Sequence, residues 1–275
     1  MGHSVNAALT YGGLRFLLVA LLGSMFVAKP NIPWRWMALY ALTLCFGQFS
    51  LLFSALAFGM PAGLASLVLQ SQAVFTLLFS LIILKEQVKN SQVLAMLIAG
   101  GGLYIIGSSG QAHSMTLLGF SLTIAAAIAW GLGNVVNRMI NQRGYRANIG
   151  LVVWSSWLAM VPFFVTSYWV EGEVAIVNSL QNLNWLSVTV LFYLAIAASI
   201  IGYSLWSYLL THYPAGQVAP LTLGVPVIGI MSASFLLEEQ MSEQQIFGIM
   251  IVMLGLLVNT FGSKIYRRLW LKPRS

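Results

Sequence analysis

The sequence predicts an all-α integral membrane protein of nine transmembrane helices forming two inverted-topology repeats, and three observations predict it. Of its 275 residues 59% are hydrophobic and only 7% charged, whereas a soluble domain carries about 25% charged residues to face water. The apolar residues fall in runs of roughly 20, the length that crosses a bilayer core. A shift of 153 residues brings the second half onto the first without a gap: Pro61-Ala62-Gly63 falls on Pro214-Ala215-Gly216, Glu86-Gln87 on Glu239-Gln240 and Gly102-Leu103 on Gly255-Leu256. The charges beside the matching turns are opposed, with Lys85 and Lys89 in the first copy against Glu238 and Glu243 in the second. Similar helices with opposite flanking charge are what two copies inserted in opposite directions should carry.

The runs are taken in order. The first, 8–28, has no basic region before it and reads as a span, not a cleavable signal. Pro30 and Pro33 separate it from the second, 37–58, and Pro61 separates that from the third, 62–84; proline is least costly at such breaks. The fourth, 91–108, carries Ala95, Ala99 and Gly102, small residues that let a second helix approach closely. The fifth (115–137), sixth (148–169) and seventh (186–210) follow over short connections. The eighth, 217–237, contains Pro220 and Pro226, which are expected to kink it and free backbone carbonyls. The ninth, 245–262, carries Gly248 and Gly255 at contact spacing. The predicted organisation is a first repeat over 1–108, a second over 109–262 and a basic tail over 263–275. The first copy then has four spans and the second five, so the helix matching 115–137 is expected ahead of residue 1.

Charge sets the expected orientation. With the carboxyl terminus inside, 12 of the 13 Lys and Arg fall in inner loops or the tail, the exception being Arg15 within the first span. Glu171, Glu173, Glu238, Glu239 and Glu243 fall outside. This is the positive-inside distribution. It accounts for the net charge of +7 without a nucleic-acid partner, and it lets the tail touch anionic lipid headgroups.

Several chemistries are excluded. There is no Asp, and no Glu or His in the middle of a span, so a proton relay on a buried carboxylate is not expected. Cys45 is the sole cysteine, which rules out an internal disulfide and a cysteine metal site. No nucleophile–base pair or metal-ligand cluster points to an enzyme, and no cofactor is expected. Arg15 is expected to snorkel or to meet backbone carbonyls at a helix break, the alternative being a cation for a substrate carboxylate, and Glu86 and Glu239 are expected to fix helix register.

What remains is uncharged. Gln48 lies mid-span in the second helix, one turn after Cys45. Gln70 and Gln72 lie in the third, and two residues apart they cannot share a face, so at most one faces a central path. Trp130 and Asn134 are i, i+4 neighbours in the fifth helix, as are Ser199 and Tyr203 in the seventh. Thr222 sits between the two prolines of the eighth. Amides, hydroxyls and indoles at mid-depth suit a small zwitterion or polar neutral solute. Gln48, Gln72, Trp130, Asn134, Tyr203 and Thr222 are the candidate contacts, with Pro61, Pro220 and Pro226 as hinges.

The stretch Phe58-Gly59-Met60-Pro61-Ala62-Gly63-Leu64-Ala65-Ser66-Leu67-Val68-Leu69-Gln70, Glu86 after the third helix, Trp130-Gly131 with Asn134, and Val218-Ala219-Pro220-Leu221 through Val225-Pro226 resemble the EamA branch of the drug/metabolite transporter superfamily. The resemblance implies ten helices in two inverted five-helix repeats, a central cavity, and a bacterial inner-membrane protein with cytoplasmic termini. It also implies export of small amino-acid metabolites, of the O-acetylserine or cysteine kind, by alternating access. On this resemblance the family's first helix is expected ahead of residue 1. Rival readings are a multidrug or other metabolite exporter, and a truncated membrane protein that does not transport. The last predicts self-association into a homodimer that completes the bundle.

Overall fold

The computed structural model describes residues 7–87, 90–109, 115–146, 148–205, 224–239 and 241–270, with side chains through Gly262. Helices α1 (Ala8–Phe26), α2 (Trp34–Ala57), α3 (Ala62–Ile83), α4 (Asn90–Ser108), α5 (Leu117–Gln142), α6 (Ile149–Val170) and α8 (Trp185–Leu205) are each long and apolar enough to cross a membrane, as are the first 20 residues of α10 (Glu243–Trp270). Between them lie a short α7 (Glu173–Gln181) and the apolar 14-residue α9 (Gly224–Leu237). No strand occurs among the described residues.

Three boundaries differ from expectation. Helix α5 runs to Gln142, past the apolar run, because Asn137, Arg138 and Asn141 are compatible with a helix projecting toward water. A nine-residue α7 follows the Gly172 turn (φ 81°), with Glu173 in its first turn, where a carboxylate favours the helix dipole. Helix α10 continues through Trp270; Lys264, Arg267 and Arg268 are good helix formers and no proline intervenes before Pro273. The expected span 217–237 is described only from 224 onward.

The two largest buried clusters among the described residues hold the bundle. One joins α1, α2, α5 and α6 through Phe16, Met37, Leu44, Ile140, Leu151 and Phe163. Phe163 stacks on Phe16 and meets Phe46 edge-on, at centroid distances of 5.4 and 5.0 Å; each such pair adds about 0.5–1.5 kcal/mol beyond the area it buries. The other cluster joins the end of α2 to α3, α4 and α10 through Leu64, Leu67, Ile106 and Val252. Large apolar side chains such as Leu97, Tyr104, Phe235 and Leu236 are exposed, which water would penalise and lipid accepts.

Two helix starts are capped from afar. The Glu171 carboxylate accepts from the backbone N–H of Leu9 and Thr10 at 2.7 and 3.1 Å. Glu239 does the same for Ala62 and Gly63 at 2.6 and 2.9 Å. Each satisfies donors that the helix leaves orphaned and places negative charge at the positive end of its dipole.

Several local geometries recur at the 153-residue spacing. Lys85 and Glu238 both adopt φ 53°, a left-handed conformation uncommon outside glycine. The next residues repeat one bond: Glu86 N–H to the Ser80 carbonyl at 3.3 Å, and Glu239 N–H to the Ala233 carbonyl at 3.4 Å. Two stretches wind as π-helix, 41–47 in α2 and 193–201 in α8. A shift of 153 carries the first onto 194–200, inside the second.

Candidate functional site

Two glycines decide where the site forms. A Cβ at Gly131 would lie 2.9 Å from the Phe75 Cβ and the Thr76 backbone nitrogen, and one at Gly133 would lie 2.6 Å from the Leu44 Cβ. Lacking side chains there, α5 wedges between α3 and α2 at backbone contact. The residue on the next turn benefits. Asn134 Nδ2 donates to Gln72 Oε1 at 2.7 Å and to Thr76 Oγ1 at 3.0 Å. Thr76 Oγ1 in turn donates to the Gln72 carbonyl at 2.7 Å.

These three side chains line a cavity of about 400 Å³ between α3, α4, α5 and α10, shared with Ser80, Glu86, Arg138 and Asn259. Gln72 Nε2 is a donor and Asn134 Oδ1 an acceptor that these two bonds do not use. The buried Ser80 hydroxyl is also unpartnered there. Arg138 and Glu86 form an ion pair at 2.9 Å on the cavity wall. The cavity thus presents hydrogen-bonding groups of both kinds along its lining.

Of the candidate contacts, Gln72 and Asn134 are brought together and Trp130 sits one turn before Asn134. The Trp130 indole packs against both the Phe16–Phe163 cluster and a smaller one made by Leu69, Ala126 and Ala127. Tyr203 packs against the first of these from α8 and does not line the described cavity. Gln48 is buried in α2 with its Oε1 unpartnered among the described residues. Gln70 is buried in the 3₁₀ turn 69–71 that re-phases α3 before Gln72. Pro61 precedes α3 with an extended backbone, beside Gly59 at φ 88°. Pro226 is buried at the third residue of α9. Thr222 and Pro220 lie outside the described residues.

Arg15 departs from expectation. It is 5% exposed and so does not snorkel, and no carbonyl is among its described hydrogen-bond partners. Its Nε and Nη2 donate to Ser199 Oγ at 3.3 and 3.0 Å, and its guanidinium lies 4.2 Å from the Phe49 ring centroid. The Ser199 hydroxyl in turn donates a hydrogen bond to the Leu194 carbonyl at 2.8 Å, five residues back in the π-helical stretch. The sequence signal was present, since an ionisable residue at membrane depth is itself a marker of a specific role. Ser80 and Arg138 carried no such signal, because each reads as an ordinary helix-end polar residue.

Comparison with known proteins decides the family. The EamA-like transporter family matches residues 3–108 and 117–261. The chain belongs to that family. A "Probable amino-acid metabolite efflux pump" of Escherichia coli (strain K12) is 42% identical over 258 residues, spanning 93% of this chain and 86% of that protein. A protein of the same name from Salmonella typhimurium is 42% identical over 261 residues, 94% and 87% of the two chains. An uncharacterized transporter of Bacillus subtilis is 25% identical over 257 residues, 90% and 79% of the two. A crystal structure at 18% identity superposes with a TM-score of 0.64 over 96% of this chain and 89% of that one, which speaks to the shared fold. The protein is therefore a multi-pass membrane transporter, and the cavity lies within its transport fold.

Proposed function

We propose that this transporter exports small amino-acid metabolites, O-acetylserine and cysteine among them, across a bacterial inner membrane. The observation that carries the reading is the uncharged Gln72–Thr76–Asn134 network on the wall of the 400 Å³ cavity. It offers a donor and an acceptor to a short polar side chain, at the scale of an amino acid with its nearest waters. The two relatives at 42% identity, named as probable amino-acid metabolite efflux pumps, support the same substrate class.

Alternating access follows from two inverted repeats rocking about the site. The left-handed turns at Lys85 and Glu238, the π-helical stretches at 41–47 and 193–201, and the two separate family matches support this organisation. The carboxyl terminus is assigned to the cytoplasm on the charge distribution, which puts Glu239 and Glu171 at the outer surface and the Glu86–Arg138 pair at the inner one. In this assignment the outer end is held shut by the Glu239 cap on α3, and the cavity faces inward to load. Pro61, Pro220 and Pro226 are the proposed hinges.

The test is the amount of cysteine and O-acetylserine in the medium of cells expressing the chain, against empty-vector cells and a Gln72→Ala/Trp130→Ala variant at equal membrane abundance. Export by the wild type that falls to background in the variant supports both function and site. Equal export by the two proteins removes the site; no export by the wild type removes the substrate.

A further inference from the structure

We propose that Glu86 and Arg138 form a zwitterion-reading pair. The ammonium group of an amino-acid substrate goes to the Glu86 carboxylate and its carboxylate to the Arg138 guanidinium, replacing their mutual ion pair. The proposal rests on the export reading above and names the residues that would enforce its substrate class.

Both residues line the cavity, and their side chains meet at 2.9 Å while remaining 27% and 55% exposed. An ion pair this open contributes little to stability, so opening it costs little. The separated charges are not stranded either, because each acquires the opposite pole of the incoming solute. The remaining polar lining is uncharged: Gln72, Thr76, Ser80, Asn134 and Asn259, with Gln87 and Gln92 beside them. A solute with net charge would bring an uncompensated charge into this chamber, whereas a zwitterion's charges answer both members of the pair.

The turn that carries Glu86 points to a ligand by a second route. The matching turn in the other half gives its glutamate, Glu239, to the backbone N–H groups of Ala62 and Gly63. Glu86 has the same turn, with Lys85 at φ 53° and its own N–H on the Ser80 carbonyl, but its described partner is an exchangeable side chain. The Ser80 hydroxyl at the base of that turn is buried, lines the cavity and has no described partner. A buried hydroxyl without a partner loses free energy until something bonds it. An ester carbonyl or thiol on the substrate's short side chain would do so while its two charged groups sit on the pair.

The experiment uses the full chain in inside-out vesicles and measures initial uptake of radiolabelled cysteine. Competitors are unlabelled O-acetylserine, a cysteine amide (a cation without the carboxylate) and an N-acetylcysteine (an anion without the ammonium). In the wild type both truncated analogues should compete about tenfold or more less well, the scale of one lost hydrogen bond to a charged group. Arg138→Gln should raise the KM for cysteine about tenfold with a smaller change in kcat, and should erase the disadvantage of the amide alone. Glu86→Gln should erase that of the N-acetyl compound alone. If both variants are present in the membrane and transport is slowed with analogue ranking unchanged, the pair merely ties α3 to α5 and the proposal falls. If wild-type vesicles neither take up nor bind any amino acid, the export reading falls and takes this one with it.

Discussion

Gly102 of α4 and Gly255 of α10 each press against the helix that carries the other. A Cβ on Gly102 would lie 2.7 Å from the Val252 nitrogen and 2.9 Å from the Gly248 carbonyl oxygen. One on Gly255 would lie 2.8 Å from the Ala99 nitrogen and 3.0 Å from the Ala95 carbonyl oxygen. Adding 153 turns Ala95 into Gly248 and Ala99 into Val252, so the two contacts map onto each other, in keeping with the proposed inverted repeat. The obstructing atoms are backbone and cannot swing aside. Gly102→Ala and Gly255→Ala should therefore each destabilise the protein by a similar amount, about 1–3 kcal/mol. Gly100→Ala and Gly101→Ala meet nothing within 4 Å and should be neutral or stabilising by up to about 1 kcal/mol, since alanine is the better helix former. Thermal unfolding in detergent checks the four variants together; equal behaviour of Gly102→Ala and Gly101→Ala would remove the close-packing account.

Asn134→Leu removes the donor shared by Gln72 and Thr76 while keeping a side chain of similar size. Gln72 Oε1 then loses its 2.7 Å donor and faces an apolar surface, at a cost of about 1–3 kcal/mol. Export kcat/KM should fall roughly tenfold or more, with the protein still inserted and abundant. Unchanged kinetics in vesicles would show that the solute never meets this wall.

The spans were legible because 3.6-residue packing in lipid needs only length and apolarity, both of which are written locally. The extension of α5 past residue 137 to Gln142 was not, because Asn137, Arg138 and Asn141 give no apolar signal once the helix leaves the membrane. Gln72 and Asn134 could each be read as polar groups at mid-span. Their pairing could not, since it depends on Gly131 admitting the α3 backbone, and a glycine in a transmembrane run does not announce which helix it will receive. The burial of Arg15 is illegible for a related reason. Its inward turn depends on Ser199, 184 residues away, being exposed by a π-helical stretch whose winding leaves no mark in composition.

Glu239 ties α3 to the segment that follows α9. Replacing it with glutamine removes the negative charge at the α3 N-terminus and leaves one amide oxygen for two N–H donors. Loss of such a cap costs about 0.5–2 kcal/mol, and here the cost falls on the closed form of the proposed outer end. Ala233 is buried, 3.0 Å from where a Gly63 Cβ would stand. In a Cys45→Ala background, Ala233→Cys should react with an impermeant maleimide several times faster when Glu239→Gln is added. An unchanged rate would mean the cap does not hold this end shut.

Arg15 is a charge held in place by one hydroxyl and two aromatic faces, with no carboxylate among its described partners. That arrangement uses what arginine has and lysine lacks: two donors at fixed spacing for Ser199 and a flat, weakly hydrated cation to lie on Phe49. Lysine would keep the buried charge and lose the fit, whereas methionine would lose the charge and keep much of the packing. Arg15→Lys should accordingly lower the melting temperature at least as much as Arg15→Met, with losses of about 1–3 kcal/mol. Ser199→Ala should reproduce much of the loss, and adding it to Arg15→Met should cost little more, because the hydroxyl's main donor is already gone. If instead Arg15→Met melted like the wild type but failed to export, the guanidinium would belong to the transport path and not to the scaffold around it.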